Sequence, residues 1–129
     1  MQFNLLPSDS QLKAIQNQLE QEEYQGISDI WVCMSPYYFG VEESTMLIGV
    51  ASMSLGNEAC ELYKLYVPIS HRGKGVASSL VKKAIEISKN HGTHELYVQI
   101  AGNSRGFWEK VVKNENIELI SDDNFVIKF

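Results

Sequence analysis

The chain has 129 residues, of which 44% are hydrophobic and 21% charged, the composition of a globular protein with a single core. Its net charge of −5 excludes the overall basic field that holds nucleic acids or anionic membranes. No apolar run is long enough to cross a bilayer, and the first residues lack the basic and apolar regions of a secretion signal. We therefore expect one cytoplasmic domain over residues 1–129, in which Cys33 and Cys60 are reduced, buried thiols.

Strands and one helix are predicted for the first half of the chain. The predicted strands cover residues 3–6, 30–34, 46–54 and 59–67. After the first strand, Ser8-Asp-Ser-Gln11 has the spacing of a helix capping box, and the apolar face that follows predicts a helix ending near Gln25-Gly26. Residues 35–40 stay open between a loop and a strand interrupted at Pro36. The short connections favour an antiparallel meander.

The second half of the chain contains a predicted crossover. A helix begins after Gly75 and runs to Asn90, with Gly92 at the position of a left-handed C-cap. A strand over residues 94–100 follows, and Asn103 is the predicted N-cap of a last helix. Two short strands, 117–120 and 125–129, complete the chain. The order β-α-β-β-β-α-β-α-β-β predicts an α+β fold with antiparallel strands and one right-handed β-α-β crossover.

The glycine-rich turn between the strand 59–67 and the helix after Gly75 is the most informative feature. The N–H groups at a helix start have no partners within the helix and carry a partial positive charge, so they bind phosphate groups. Arg72 and Lys74 add two full positive charges. Because the rest of the chain is acidic, this local basicity favours a small anionic ligand. We predict that the turn holds the diphosphate of a nucleotide cofactor.

Two well-known phosphate-binding patterns do not fit the turn. A P-loop needs a glycine where this chain has Pro68, and a serine or threonine where it has Gly75. A dinucleotide fingerprint needs a glycine where Ser78 stands, and it follows its strand directly, whereas five residues separate Val67 from Gly73.

The turn instead matches the pattern Arg-x-x-Gly-x-Ala at Arg72, Gly75 and Ala77, which resembles the acetyl-CoA site of the GNAT superfamily of N-acetyltransferases. The similarity extends over residues 61–77, which resemble the fourth strand and diphosphate loop of that family. Asn103 and the Phe-Trp-Glu-Lys at 107–110 resemble the helix that closes the pantetheine slot. The predicted order of elements also matches the family topology.

The resemblance implies a mixed, mostly antiparallel sheet flanked by helices, whose fourth and fifth strands splay apart around acetyl-CoA. Strand backbone would pair with the pantetheine arm, and the amides of the turn would hold the diphosphate. The cofactor-binding residues that it implies are Leu65, Tyr66, Val67, Arg72, Gly73, Lys74, Gly75, Val76, Ala77, Asn103 and Trp108. Asn103 stays open between a pantetheine partner and a simple helix cap. No metal is implied.

The implied reaction is direct attack of a primary amine on the acetyl thioester. A strand N–H near Leu65 or Tyr66 would polarise the carbonyl. Glu61 occupies the position of the family's catalytic glutamate and could deprotonate the amine through a water; an exposed strand glutamate is the alternative. Trp108 stands where many relatives have a tyrosine that protonates the leaving thiolate, and an indole cannot release a proton. Three alternatives remain open: another tyrosine protonates the thiolate, water protonates it, or it departs without an acid. The last alternative is favoured.

The acceptor is predicted only as a class, a small-molecule or peptide amine. Aromatic and acidic side chains on one hairpin could suit a cation, with ordinary hairpin composition as the alternative. These residues are Tyr37, Tyr38, Phe39, Glu42 and Glu43. Residues 8–29 are few for the two helices that usually roof the acceptor site, which implies an open site. By analogy, the terminal strand 125–129 could pair two copies as a homodimer. The alternative function is a non-catalytic acyl-CoA-binding or interaction module on the same fold.

Overall fold

The computed structural model describes residues 2–23 and 26–129. The strands are β1 Gln2–Asn4, β2 Pro36–Glu43, β3 Met46–Leu55, β4 Cys60–Tyr66, β5 Glu95–Gln99, β6 Asn116–Ser121 and β7 Asn124–Lys128. The helices are α1 Asp9–Gln21, α2 Val76–Asn90 and α3 Arg105–Val111. The order of elements is the predicted one, although one of the strands is displaced along the chain.

The strands form one mixed sheet in the order β1-β2-β3-β4-β5-β7-β6. Neighbouring strands are antiparallel except for β4 and β5, which are parallel because α2 crosses between them. Helix α1 packs on one face of the sheet through Leu12, Ile15 and Leu19. Helices α2 and α3 cover the other face, where Leu80 and Trp108 enter the main core. The predicted mixed, mostly antiparallel sheet flanked by helices is confirmed.

The predicted capping box begins α1. The Ser8 hydroxyl accepts a hydrogen bond from the Gln11 N–H at 3.1 Å, and Gln11 Oε1 accepts one from the Ser8 N–H at 3.0 Å. The described helix ends at Gln21, with Glu22 as its C-cap residue. The predicted end near Gln25 lies outside the described residues. At the far end of α2, Gly92 has the predicted left-handed conformation, with φ of 89°.

The prediction of a strand over residues 30–34 is wrong. Side chains, instead of a neighbouring strand, satisfy the backbone of this segment. Gln16 Oε1 accepts a hydrogen bond from the Ile30 N–H at 3.0 Å, and the Ser52 hydroxyl donates to the Ile30 carbonyl. Ser54 donates to the Met34 carbonyl at 2.7 Å. The strand begins only at Pro36, which resolves the open assignment of residues 35–40 in favour of a strand.

The structure corrects two further expectations. The terminal strand β7 lies inside the sheet between β5 and β6, so β6 occupies that sheet edge and β7 has no free edge for a dimer. Cys33 is exposed, whereas Cys60 is buried as expected, and both are free thiols.

Candidate active site

A cleft opens in the sheet where β4 and β5 stop pairing. Their parallel pairing covers three residue pairs and ends at Leu62 and Val98. Just beyond it, a bulge in the pairing of β3 with β4 leaves Tyr63 without a partner. A bulge bends a strand and increases its local twist. The remainder of β4 therefore diverges from β5, as predicted for the fourth and fifth strands.

The cleft contains a cavity of about 520 Å³. Four segments surround it: the end of β4, the glycine turn with the start of α2, the end of β5, and the start of α3. The predicted cofactor-binding residues that line it are Leu65, Tyr66, Val67, Arg72, Gly73, Gly75, Val76, Ala77, Asn103 and Trp108. Glu61 and Lys74 do not line it.

The start of α2 is an uncapped helix end at one end of the cleft. Gly75 is the N-cap residue, it has φ of 80°, and no side chain caps the helix. Helical hydrogen bonding begins with the Ser79 N–H donating to the Gly75 carbonyl at 3.0 Å. Gly73 also has a positive φ, 79°, and a Cβ atom built at either glycine would meet no protein atom within 4 Å. The turn therefore leaves open space in front of amides that lack partners within the helix, which fits a phosphate ligand.

The Arg72 side chain contacts Val67 and Glu22. Its Nε donates to the Val67 carbonyl at 2.8 Å, and its Nη2 lies 3.6 Å from Glu22 Oε2. Its charge is therefore partly compensated by a carboxylate that the sequence analysis did not consider. Lys74 is exposed.

Three buried polar atoms lie near the turn. The Tyr66 hydroxyl, His71 Nδ1 and Glu22 Oε2 are inaccessible to solvent and make no hydrogen bond of ordinary geometry within the described part of the chain. Burial and the nearby Glu22 carboxylate raise the pKa of Tyr66 above its ordinary value of 10.0. Tyr66 is therefore a neutral phenol at neutral pH.

Trp108 forms a wall of the cleft from α3. Its side chain is buried and packs edge-to-face on Phe107 and Phe125, with ring centroids 5.2 Å and 5.6 Å away. The predicted N-cap role of Asn103 is wrong, because Ser104 is the N-cap residue of α3. Asn103 is instead an exposed residue at the edge of the cavity.

Glu61 lies in the paired half of β4, opposite Ser54 of β3 and Tyr97 of β5. It is half-buried, and the hydrogen bond that it accepts from Tyr63 raises the pKa of that phenol. Tyr63 itself lines the cavity and is 45% exposed. Glu61 thus interacts with a residue that lines the cavity but does not line the cavity itself.

Most of the aromatic and acidic residues of the β2 hairpin make contacts within the fold. Phe39 is fully buried, and the Tyr37 and Tyr38 hydroxyls bond to backbone atoms of Leu5 and Val32. Asn4 and Gln11 each donate to Glu42 Oε2 at 2.9 Å, and the hydrogen bond from Asn4 makes the largest contribution to lowering the pKa of that carboxyl. These contacts favour the alternative, ordinary hairpin composition, and a role of the hairpin in acceptor binding stays a prediction.

The structure adds lining residues that the sequence analysis did not assign to the cofactor site. They are Ile27, Leu62, Tyr63, Lys64, His71, Ser78, Gln99, Ala101, Ser104 and Phe107. Most are direct sequence neighbours of predicted residues, so extending each predicted segment by one or two positions would have included them. Ile27 and Gln99 carry no such signal, because only the folding of the chain brings them to the cleft.

Within residues 2–23 and 26–129, no cluster of three or more His, Cys, Asp or Glu side chains could hold a metal ion. No helix in the same part of the chain is both long enough and apolar enough to cross a bilayer.

The fold is shared with many solved acetyltransferases. The PaiA N-acetyltransferase of Thermoplasma acidophilum, in complex with coenzyme A, is 20% identical with a TM-score of 0.59, and 74% of this chain matches 62% of that chain. The chain thus spans less than two thirds of the Thermoplasma protein. The ribosomal-protein-alanine N-acetyltransferase of Brucella melitensis is 13% identical with a TM-score of 0.68, and 98% of this chain matches 96% of that one.

An aminoglycoside 6′-N-acetyltransferase complexed with coenzyme A is 14% identical with a TM-score of 0.66, and 98% of this chain matches 94% of that one. No curated protein matches the sequence significantly. The model of the acetyltransferase (GNAT) family matches residues 7–112, most of the chain and all of the cleft. The chain therefore belongs to the GNAT acetyltransferase family.

Proposed function

We propose that this protein transfers the acetyl group of acetyl-CoA to a primary amine, without a metal, within one domain formed by residues 1–129. The observation that carries the proposal is the uncapped start of α2 at the end of a cleft between two diverging strands. The match to the acetyltransferase (GNAT) family supports acetyl-CoA as the ligand of this cleft. A cytoplasmic location stays a prediction.

The residues present fit acetyl-CoA. The turn borders the cavity at Gly73 and from Gly75 to Ala77, and the amides from Gly73 to Ala77 would hold the diphosphate. Beyond the last pair with β5, the backbone of Leu65, Tyr66 and Val67 lines the cavity without a β5 partner and would pair with the pantetheine arm. Asn103 and Trp108 would close the cleft from α3. Arg72 would contribute mainly through the shape of the turn, since its guanidinium is held by Val67 and Glu22.

Acetyl-CoA supplies an activated acyl thioester when it is bound. A backbone N–H near Leu65 or Tyr66 polarises the thioester carbonyl, because a fixed donor in a narrow cleft stabilises developing negative charge. Glu61 takes a proton from the substrate ammonium through a water, which frees the nitrogen lone pair for attack on the thioester. A water is needed because Glu61 does not line the cavity. No side chain needs to protonate the leaving thiolate, because a thiol of ordinary pKa, about 8.5, departs without an acid.

The acceptor is an amine of a small molecule or a peptide, not a nucleic acid or a membrane component. Structures with this fold include enzymes named for a ribosomal-protein alanine and for an aminoglycoside, so the fold accommodates both classes. The net charge of −5 favours a cationic acceptor over a polyanion.

One observation supports a second candidate, a non-catalytic acyl-CoA-binding module. Trp108 occupies the position at which a tyrosine would supply a proton, and it is packed as a core residue. Both candidates bind the coenzyme, and only the first releases its thiol when an amine is present.

Calorimetric titration with acetyl-CoA, followed by a thiol-release screen over small amines and peptide N-termini, separates these candidates. We expect saturable one-to-one binding and amine-dependent thiol release. Binding without release for any amine would select the non-catalytic module, and absence of binding would refute both candidates.

A further inference from the structure

Glu22 joins the end of α1 to the loop that leads into the glycine turn. Its Oε1 accepts a hydrogen bond from the Ile69 N–H at 2.9 Å, and its Oε2 lies 3.6 Å from Arg72 Nη2. The carboxylate is largely buried, with 15% of the side chain exposed, whereas the Arg72 side chain is 41% exposed. One carboxylate therefore contacts both the beginning and the end of the 3₁₀ turn Ile69–His71.

Short-range hydrogen bonds within the chain also hold this loop. The Arg72 N–H donates to the Ile69 carbonyl at 3.2 Å, and Arg72 Nε donates back to the Val67 carbonyl at 2.8 Å. These bonds fix the loop within itself. Glu22 ties this loop to the end of α1 through the Ile69 N–H, and the Tyr66 ring at the end of β4 packs among the α1 residues.

We infer that Glu22 is a positioning residue for coenzyme A, a role that rests on the proposed function: it fixes the loop over residues 67–72 so that the amides at the start of α2 face the diphosphate. The carboxylate does this through the Ile69 N–H and the Arg72 guanidinium, without touching the ligand. A loop held in its binding conformation loses less entropy when the ligand binds, which increases affinity.

A positioning role and a purely electrostatic role of Glu22 predict opposite changes in coenzyme A affinity when its carboxylate is removed. A carboxylate near a diphosphate repels it, so removing the charge should tighten coenzyme A binding if Glu22 acts only through its field. If Glu22 positions the loop, Glu22→Ala should weaken binding, because the loop loses the charge-assisted hydrogen bond at the Ile69 N–H and the ion pair at Arg72.

The experiment measures the Kd of coenzyme A by calorimetry for wild type, Glu22→Ala, Glu22→Gln and Glu20→Ala. Glu20 is exposed in the last turn of α1 and provides a matched loss of charge. We expect about tenfold weaker binding for Glu22→Ala and an intermediate value for Glu22→Gln, whose amide oxygen can still accept from Ile69. Glu20→Ala should bind like wild type.

Amide hydrogen exchange of the same variants provides a readout that general destabilisation would not reproduce. In Glu22→Ala and Glu22→Gln, exchange should accelerate in residues 67–75 and stay unchanged in β5. The inference is overturned if Glu22→Ala binds coenzyme A as tightly as wild type or more tightly. It is also overturned if exchange accelerates equally in residues 67–75 and in β5. A wild-type protein that does not bind coenzyme A refutes the proposed function instead, and the exchange result then still decides whether Glu22 holds the loop.

Discussion

Leu62 and Val98 form the last pair between β4 and β5, and the cleft begins on β4 at Leu62. The bulge at Tyr63 coincides with this separation. The backbone groups of β4 beyond Leu62 on the β5 side are consequently available to a ligand. The parallel crossover through α2 brings the uncapped helix start to the same opening, so the topology assembles both halves of the proposed coenzyme site.

Gly75→Glu should abolish coenzyme A binding, because it places a bulky negative side chain in the open space before the helix amides. Calorimetry with coenzyme A measures this effect. Gly92→Glu is the matched control, since Gly92 has a similar φ of 89°, equally open surroundings, and a position at the far end of α2. Both substitutions should cost about 1–2 kcal/mol of stability for the left-handed backbone, but only the first should affect binding.

Glu61→Gln should lower kcat about 100-fold once an acceptor is known, because the water-mediated proton acceptor is lost. The Kd of coenzyme A should not change, since Glu61 does not line the cavity. Steady-state thiol release measures the first quantity and calorimetry the second. Glu58→Gln, an exposed glutamate just before β4, should leave both unchanged. Wild-type kcat in Glu61→Gln would remove this residue from the mechanism.

Trp108→Phe should leave kcat within a factor of about three of wild type, because the indole supplies no proton. Its stability should fall by about 2 kcal/mol, since a buried ring that packs on Phe107 and Phe125 becomes smaller. Thiol release and urea denaturation measure the two effects. A loss of about 100-fold in kcat with unchanged coenzyme affinity would contradict departure of the thiolate without help from this position.

The buried Tyr66 phenol predicts a loss of stability in alkali. Its pKa in the folded protein is raised above 10.0 by burial and by Glu22, so its contribution is fully present below pH 10 and declines as pH rises further. Urea denaturation between pH 8 and about pH 11 should show this decline in wild type. Tyr66→Phe should show a shallower decline, since other tyrosines with raised pKa values remain. If wild type and Tyr66→Phe lost stability identically over this pH range, Tyr66 would not be a source of the decline.

Gln16→Leu should destabilise the fold by about 1–3 kcal/mol, because it leaves the buried Ile30 N–H without its acceptor. The neighbouring Asn17 also carries an amide side chain but is exposed, so Asn17→Leu is the matched control and should change stability little. Urea denaturation of both variants measures the difference. Equal stabilities would show that the segment after α1 does not depend on Gln16.

The sequence predicted the cleft where the signals are local. Pro68, the glycines at 73 and 75 and the apolar face of α2 determine the turn through their own backbone preferences, so strand, turn and helix could be placed correctly. The cap of α1 was predicted for the same reason, since Ser8 and Gln11 bond to each other.

The errors concern contacts between distant segments. Residues 30–34 have the composition of a strand, but their partners are side chains of Gln16, Ser52 and Ser54, which no local pattern identifies. The position of β7 inside the sheet depends on the order in which the last two strands pair. The role of Glu22 depends on α1 ending beside a loop 47 residues later in the chain.

An NMR titration with coenzyme A, followed through the backbone amide resonances, tests most directly the claim that the start of α2 binds the diphosphate. A diphosphate held by the start of α2 predicts large, saturable shifts of the amides from Gly73 to Ser78 and smaller shifts elsewhere in that helix. Saturable binding that leaves these amides unshifted would contradict the account.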